Sequence, residues 1–195
     1  MFTQNEKRVL RFLAASLGKD HSINDVAKAC GIAPNGAYKI LVKFEGEGAL
    51  KAKQIANIKS YTLNFEHEKT VCILELVLMP DTLEGRVKAR ADDLQLLKSL
   101  TQACVLFGSY ITAKQKPGDL DVLFVLKRTN FGAYKQALAK VQDIIPVKIQ
   151  DVVQTREDII ENLKKNDPVV TDALRYGVVL WGADVLVQVI EHAAE

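Results

Sequence analysis

Asp119 and Asp121 stand one residue apart at the head of an apolar run, in the stretch FGSYITAKQKPGDLDVLFV. Alternate residues of a strand share a face, so a strand over Leu120–Leu126 points both carboxylates one way. Leu120 and Val122 then point the other way, into a core. Two carboxylates held that close repel, and burying either one bare is costly. A divalent cation removes both penalties, and Mg²⁺ takes one or two carboxylates together with substrate phosphates. Rival chemistries have less support. His21, His67 and His192 show no ligand or triad spacing. Cys30, Cys72 and Cys104 are odd in number, far apart and set among apolar residues, which suggests reduced core thiols in a cytoplasmic protein.

The flanking sequence supplies the scaffold. Cys104–Phe107 reads as a short buried strand, residues 110–115 as a helical turn, and Pro117-Gly118 as the reversal into the strand that carries the aspartates. Phe131–Asp143 has a helical stripe of Tyr134, Ala137, Leu138 and Val141, and Val147–Val153 reads as a further strand. Thr155–Asp158 caps a helix through Leu163. Upstream, Val71–Met79 is apolar almost throughout and fits either a strand or a buried helix, and Leu83–Leu100 fits a helix. This order suits a small mixed sheet with helices packed on one side.

The first third differs in charge. Residues 1–65 hold ten Lys/Arg against five Asp/Glu, while the rest hold sixteen against nineteen. Capping boxes open helices at Thr3–Glu6 and Ser22–Asp25, Gly31 makes a turn, and Pro34 starts a third helix. The inner stripe of that helix is Ala37, Ile40, Leu41 and Phe44; its outer stripe is Asn35, Tyr38, Lys39, Val42 and Lys43. Two short strands, Leu50–Lys53 and Lys59–Leu63, follow as a hairpin edged by Lys51, Lys53 and Lys59. The stretch SINDVAKACGIAPNGAYKILVKFEGEGAL resembles the helix-turn-helix of winged-helix regulators. The resemblance implies that the third helix enters a DNA major groove, with Asn35, Tyr38, Lys39 and Lys43 facing bases or phosphates and the wing lysines facing backbone phosphates. Winged helices also serve as dimerisation modules, so a homodimer is a further partner class.

Gly108-Ser109 followed by the Asp-Leu-Asp pair at the start of a strand resembles the nucleotidyltransferase fold of the DNA polymerase beta superfamily, and its minimal nucleotidyltransferases in particular. The ending from Asn166-Asp167-Pro168 to Gly177-Val-Val-Leu-Trp-Gly182 is similar to that family's closing element. The resemblance implies that Gly108 lets backbone approach a phosphate and that Ser109 donates to the β- and γ-phosphates. It implies further that Lys114 touches the triphosphate and that Asp119 and Asp121 hold Mg²⁺. A third carboxylate is expected on a neighbouring strand, with Asp151 the first choice and Asp143 the alternative. Three positions depart from the family pattern: Ala113, Gly118 and the Gln150 that precedes Asp151.

The expected fold class is α+β: a winged helix-turn-helix over residues 1–65, a connection over 66–85 and a nucleotidyltransferase-like domain over 86–195. The expected function is Mg²⁺-dependent transfer of a nucleoside monophosphate from an NTP, with ATP the first choice, to a hydroxyl acceptor, which could be on a partner protein. The alternative is a DNA-binding regulator whose second domain binds a nucleotide without catalysis. No run reaches the roughly 20 apolar residues of a membrane span, and no signal peptide is read at the N-terminus.

Overall fold

The computed structural model describes residues 2–55, 57–112 and 118–195. The fold is α+β, with two small sheets. Helix α1 spans Gln4–Ala14, α2 Ile23–Cys30 and α3 Pro34–Gly46. The local rules that start these helices are met in three dimensions. The Thr3 hydroxyl accepts from the Glu6 amide at 3.3 Å while the Glu6 carboxylate accepts from the Thr3 amide at 2.7 Å, and Ser22 and Asp25 repeat the exchange. Gly31 ends α2 at φ +63°, a left-handed position that suits glycine. Strands β2 (Leu50–Ile55) and β3 (Ile58–Leu63) form the hairpin. A two-residue strand β1 (His21–Ser22), not anticipated from sequence, pairs with the outer edge of β3.

The second sheet runs in the order β6-β5-β4-β7, with β4 Ala103–Phe107, β5 Asp119–Val125, β6 Lys148–Gln154 and β7 Val178–Trp181. Strand β4 is antiparallel to both β5 and β7, while β5 and β6 are parallel. The helices are α5 (Gly85–Leu94), α6 (Phe131–Ile144), α7 (Arg156–Lys164), α8 (Pro168–Tyr176) and α9 (Ala183–Ala194). They cover both faces of this sheet rather than one. Leu106, Leu120, Val122 and Phe124 pack with Leu94, Tyr134 and Val141 of α5 and α6. Val105, Leu123 and Val125 pack with Ile159, Ala173, Leu186 and Ile190 of α7, α8 and α9. Helix α9 had no counterpart in the sequence reading, although Val185, Leu186, Val189, Ile190 and Ala193 recur at helical spacing and are buried.

Residues 69–78 settle as helix α4, with Thr70, Leu74, Val77 and Leu78 buried and Leu76 and Met79 exposed. Of the three thiols, Cys30 and Cys104 are buried, but Cys72 lies on the outer side of α4, which corrects its assignment to the core. Helix α4 is part of the molecule's interior rather than a linker: Leu74, Val77 and Leu78 share one apolar cluster with Val9 and Leu13 of α1 and Ile190 of α9. Two arginines fasten the remaining contact between the halves. Arg11 of α1 donates to the carbonyls of Leu174 and Gly177 at 2.8 and 2.5 Å, and Arg175 of α8 donates to the Ala29 carbonyl of α2 at 2.9 Å. Each cation thereby meets carbonyls at the C-terminal end of a helix in the other half, where the backbone dipole favours positive charge. No helix among the described residues is long and apolar enough to cross a membrane.

Removing Arg11 leaves the Leu174 and Gly177 carbonyls without that donor. Arg11→Ala is expected to cost about 1.5–3 kcal/mol, the range for hydrogen bonds to charged groups. Urea unfolding of the wild type should be a single transition that the substitution moves to lower urea as a unit. Two separated wild-type transitions, or a loss under about 0.5 kcal/mol, would contradict a shared core.

Candidate functional site

Asp119 and Asp121 share a face of β5, as alternation requires, and both are half-buried. Their face is the one that farther along carries Leu123 and Val125 toward α7–α9. Phe107, the last residue of β4, pairs with Asp121, so the chain leaves the sheet beside that carboxylate. Gly108 follows at φ +69° and begins a 3-10 turn over Gly108–Ile111. A β-carbon at position 108 would fall on the Asp121 carboxylate and displace it, and the positive φ itself favours glycine. Arg86 of α5 braces the turn from outside, donating to the Thr112 carbonyl and lying 5.3 Å from the centre of the Tyr110 ring. The Ser109 carbonyl accepts from the Thr112 hydroxyl at 2.8 Å. The Ser109 hydroxyl has no hydrogen-bond partner among the described residues. Gly108, Ser109, Asp119 and Asp121 thus meet at one corner of the sheet. Lys114 lies outside the described residues.

The electrostatics of the corner fit a cation. Burial first, and the neighbouring Asp119 charge second, push the Asp121 carboxyl above its ordinary range. Two carboxylates with this mutual penalty form a suitable donor set for Mg²⁺, which would take its remaining ligands from water or phosphate oxygens.

The third acid is not where the sequence reading put it. The parallel register sets Asp121 beside Gln150 and Val122 beside Asp151. Paired residues share a face, so Asp151 lies on the side of the sheet opposite the aspartate pair. There its carboxylate accepts from the Tyr134 hydroxyl at 3.1 Å and from the Lys135 ammonium at 2.8 Å, both on α6. That burial and the Asp151 charge raise the Tyr134 phenol. The alternative, Asp143, is exposed in the last turn of α6. The neighbouring position on the site's own face is held by Gln150, whose amide donates to the Asp119 carboxylate. Among the described residues no three His, Cys, Asp or Glu side chains converge as a metal-binding group.

Beside Gly108 opens a cleft of about 510 Å³. Phe107, Gly108, Ile111 and Thr112 form one wall, and Pro168, Val169, Asp172 and Tyr176 of α8 form the other. Asp172 and Tyr176 were missed as site residues. Their four-residue spacing puts them on one helical face, but only the packing of α8 beside β4 brings that face to Gly108.

The surface of α3 and of the β2–β3 hairpin is more fully paired in charge than the sequence reading expected. Asn35, Tyr38, Lys39, Val42 and Lys43 are exposed on α3. Lys43 bonds Glu6 at 2.7 Å, Lys51 meets Glu66 at 3.3 Å, Lys53 meets Asp20 at 3.9 Å and Lys59 bonds Glu45 at 2.8 Å. Of the five lysines singled out as DNA contacts, Lys39 alone makes no ion pair among the described residues.

Because the Asp121 carboxyl is raised, its ionised form costs stability. The cost is absent below the unfolded carboxyl value of about 3.9 and complete once the pH has passed the higher folded value. Asp121→Asn should therefore raise the melting temperature at pH 7 and leave it unchanged near pH 3. Thermal melts without divalent cation, run at both values, test this; a gain that persists at pH 3, or no gain at pH 7, would contradict it. The chain matches no family model, no curated protein and no solved structure.

Proposed function

We propose that the chain joins a winged helix-turn-helix to a nucleotidyltransferase-like domain that binds a magnesium nucleoside triphosphate as a signal, without transferring it. The observation that carries this reading is the composition of the corner: two carboxylates on one face of β5, that of Asp121 against Gly108, with Gln150 in the place where a third acid is expected. Nucleotidyl transfer needs a group that takes the proton of the acceptor hydroxyl. A carboxamide does not do so near neutral pH, and Asp151 is engaged by Tyr134 and Lys135 on the far side.

In this reading the triphosphate lies along Gly108 and Ser109, and the Asp119 and Asp121 carboxylates fix its metal. The bound Mg²⁺ would neutralise phosphate charge. The base and sugar lie in the adjoining cleft, against Val169 and the exposed ring of Tyr176, with Asp172 within the same cleft. Helix α8 supplies the route to the other half. Its Tyr176 lines the cleft, and the guanidinium of the preceding Arg175 stacks on Tyr176 and on Phe12 of α1 while holding the end of α2. DNA would meet α3 through Asn35, Tyr38 and Lys39, and the wing through lysines that first leave their carboxylate partners. Exposed pairs of that kind are worth about 0–1 kcal/mol each, so they weaken DNA binding without preventing it.

A second reading, transfer itself, is favoured by one observation: Asp172 lines the cleft and could receive a proton from an acceptor bound there. Calorimetry and a pyrophosphate assay separate the two. Mg·ATP or another Mg·NTP should bind the wild type, and Asp119→Ala should weaken that binding at least tenfold. Incubation with Mg²⁺, all four NTPs and cell extract should release no pyrophosphate above that of Asp119→Ala. Release that Asp172→Asn abolishes would establish transfer in place of signalling, and failure of every Mg·NTP to bind would overturn both readings. The same nucleotide should change affinity for duplex DNA, and that affinity should fall steeply with salt.

A further inference from the structure

The other end of the same strands carries a different site. Strands β5 and β6 run parallel, so their C-terminal ends lie side by side at Val125 and Gln154. The chain leaving β5 turns to α6, which packs on the sheet face of Phe124, and the chain leaving β6 turns to α7, which packs on the face of Leu123. Adjacent parallel strands whose next helices diverge to opposite faces leave a crevice between the departing loops, the topological position where open α/β sheets hold ligands. Here the crevice is a recess of about 500 Å³ whose walls include Lys127, Arg128, Thr155 and Arg156.

Its charge sets it apart from the wing. Lys127, Arg128 and Arg156 make no ion pair among the described residues, in contrast to Lys43, Lys51, Lys53 and Lys59. Lys127 and Arg128 are exposed. Arg156 is held by a 2.9 Å bond to the Gln188 side chain, and its Nε is buried without a partner. Two carboxylates stand near. Asp158 is spent on the helix cap, bonding the Thr155 amide and hydroxyl at 2.9 and 2.8 Å. Glu157 lines the recess and is held low mainly by hydrogen bonds at that same cap, and Arg128 attracts both Glu157 and Asp158, so a bound anion shares that guanidinium with them. The attraction for an anion therefore comes from the three cations rather than from the α7 N-terminus, which its own cap already satisfies. An adjoining recess of about 320 Å³ shares Arg128 and Thr155 and adds the exposed ring of Phe131, a flat apolar surface next to the cations.

We propose that this crevice is a second ligand site, taking the phosphate group of a nucleotide on Lys127, Arg128 and Arg156 with the base against Phe131. Its separation from the aspartate pair is set by the length of β5, about 20 Å for seven residues, so the two sites act on different molecules or on different parts of an extended one. Binding here needs no divalent cation, since the protein supplies the positive charge. A free nucleotide and a nucleic-acid strand end carry the same phosphate monoester, so the recognised chemistry is shared.

The test is an NMR titration of the ¹⁵N-labelled full chain with adenosine 5′-monophosphate in EDTA. Amide shifts should gather at Lys127–Phe131 and Thr155–Glu157. Adenosine, which lacks the phosphate, should bind at least tenfold more weakly. Arg128→Ala removes an exposed side chain and should keep the wild-type melting temperature while weakening the monophosphate at least tenfold; Lys127→Ala should weaken it by a smaller factor. A 5′-phosphorylated tetranucleotide run in parallel assigns the source, with tighter binding than the mononucleotide pointing to a strand end and equal binding to a free nucleotide. No shifts with either phosphate probe, shifts gathered at Gly108 and Ser109 instead, or undiminished binding by Arg128→Ala would overturn the proposal.

Discussion

Two negative charges on one side of a strand make the strongest demand in this molecule. The pleat forces Asp119 and Asp121 to the same face because Leu120 and Val122 must enter the core between β5 and α6. The core therefore decides where the carboxylates go, and the carboxylates repel. The surrounding structure shapes the space left to them. Gly108 has no side chain to occupy it, Arg86 pins the turn that follows, and the Gln150 amide shields one oxygen of Asp119. Among the described residues neither carboxylate makes an ion pair, and the neighbouring cleft is large enough for a ligand that brings positive charge.

The strand that supplies this corner also limits it. A parallel neighbour contributes one residue to each face in turn, so a shift of one position exchanges Gln150 for Asp151. In the observed register the amide faces the site and the acid faces α6, where Tyr134 and Lys135 give it a structural task. A carboxamide can support a carboxylate and orient a ligand, but it leaves proton transfer without an agent on that strand. This single parity decides whether the corner holds two acids or three.

What the sequence disclosed follows the range of the forces involved. Capping boxes at Thr3, Ser22 and Thr155 and the alternation at Asp119–Asp121 act over a few residues, and they stood legible in the chain. The face of Asp151 depends on how β6 registers against β5, a pairing between segments about thirty residues apart, and no local pattern carries it. Helix α4 was ambiguous because apolar residues surround almost its whole circumference, although only one side packs with α1 and α9 and Cys72 and Leu76 stay exposed. The lysine partners were hidden for the same reason as the register. Lys43 finds Glu6 and Lys53 finds Asp20 across the fold, so lysines that read as bare along the chain stand in ion pairs while the net excess of the segment remains. Nothing in the chain around Asp172 and Tyr176 marks them as site residues; only the setting of α8 against the Gly108 turn brings them to the cleft.

Electron paramagnetic resonance of Mn²⁺ in the presence of ATP addresses the central geometry most directly, because it counts bound metal without requiring turnover. The wild type, Asp119→Asn, Asp121→Asn and Asp151→Asn would be compared under one set of conditions. The shared face of β5 predicts that protein-bound Mn²⁺ disappears in the first two variants and persists in Asp151→Asn. Retention of the metal by Asp121→Asn, or its loss in Asp151→Asn with the fold intact, would contradict the account.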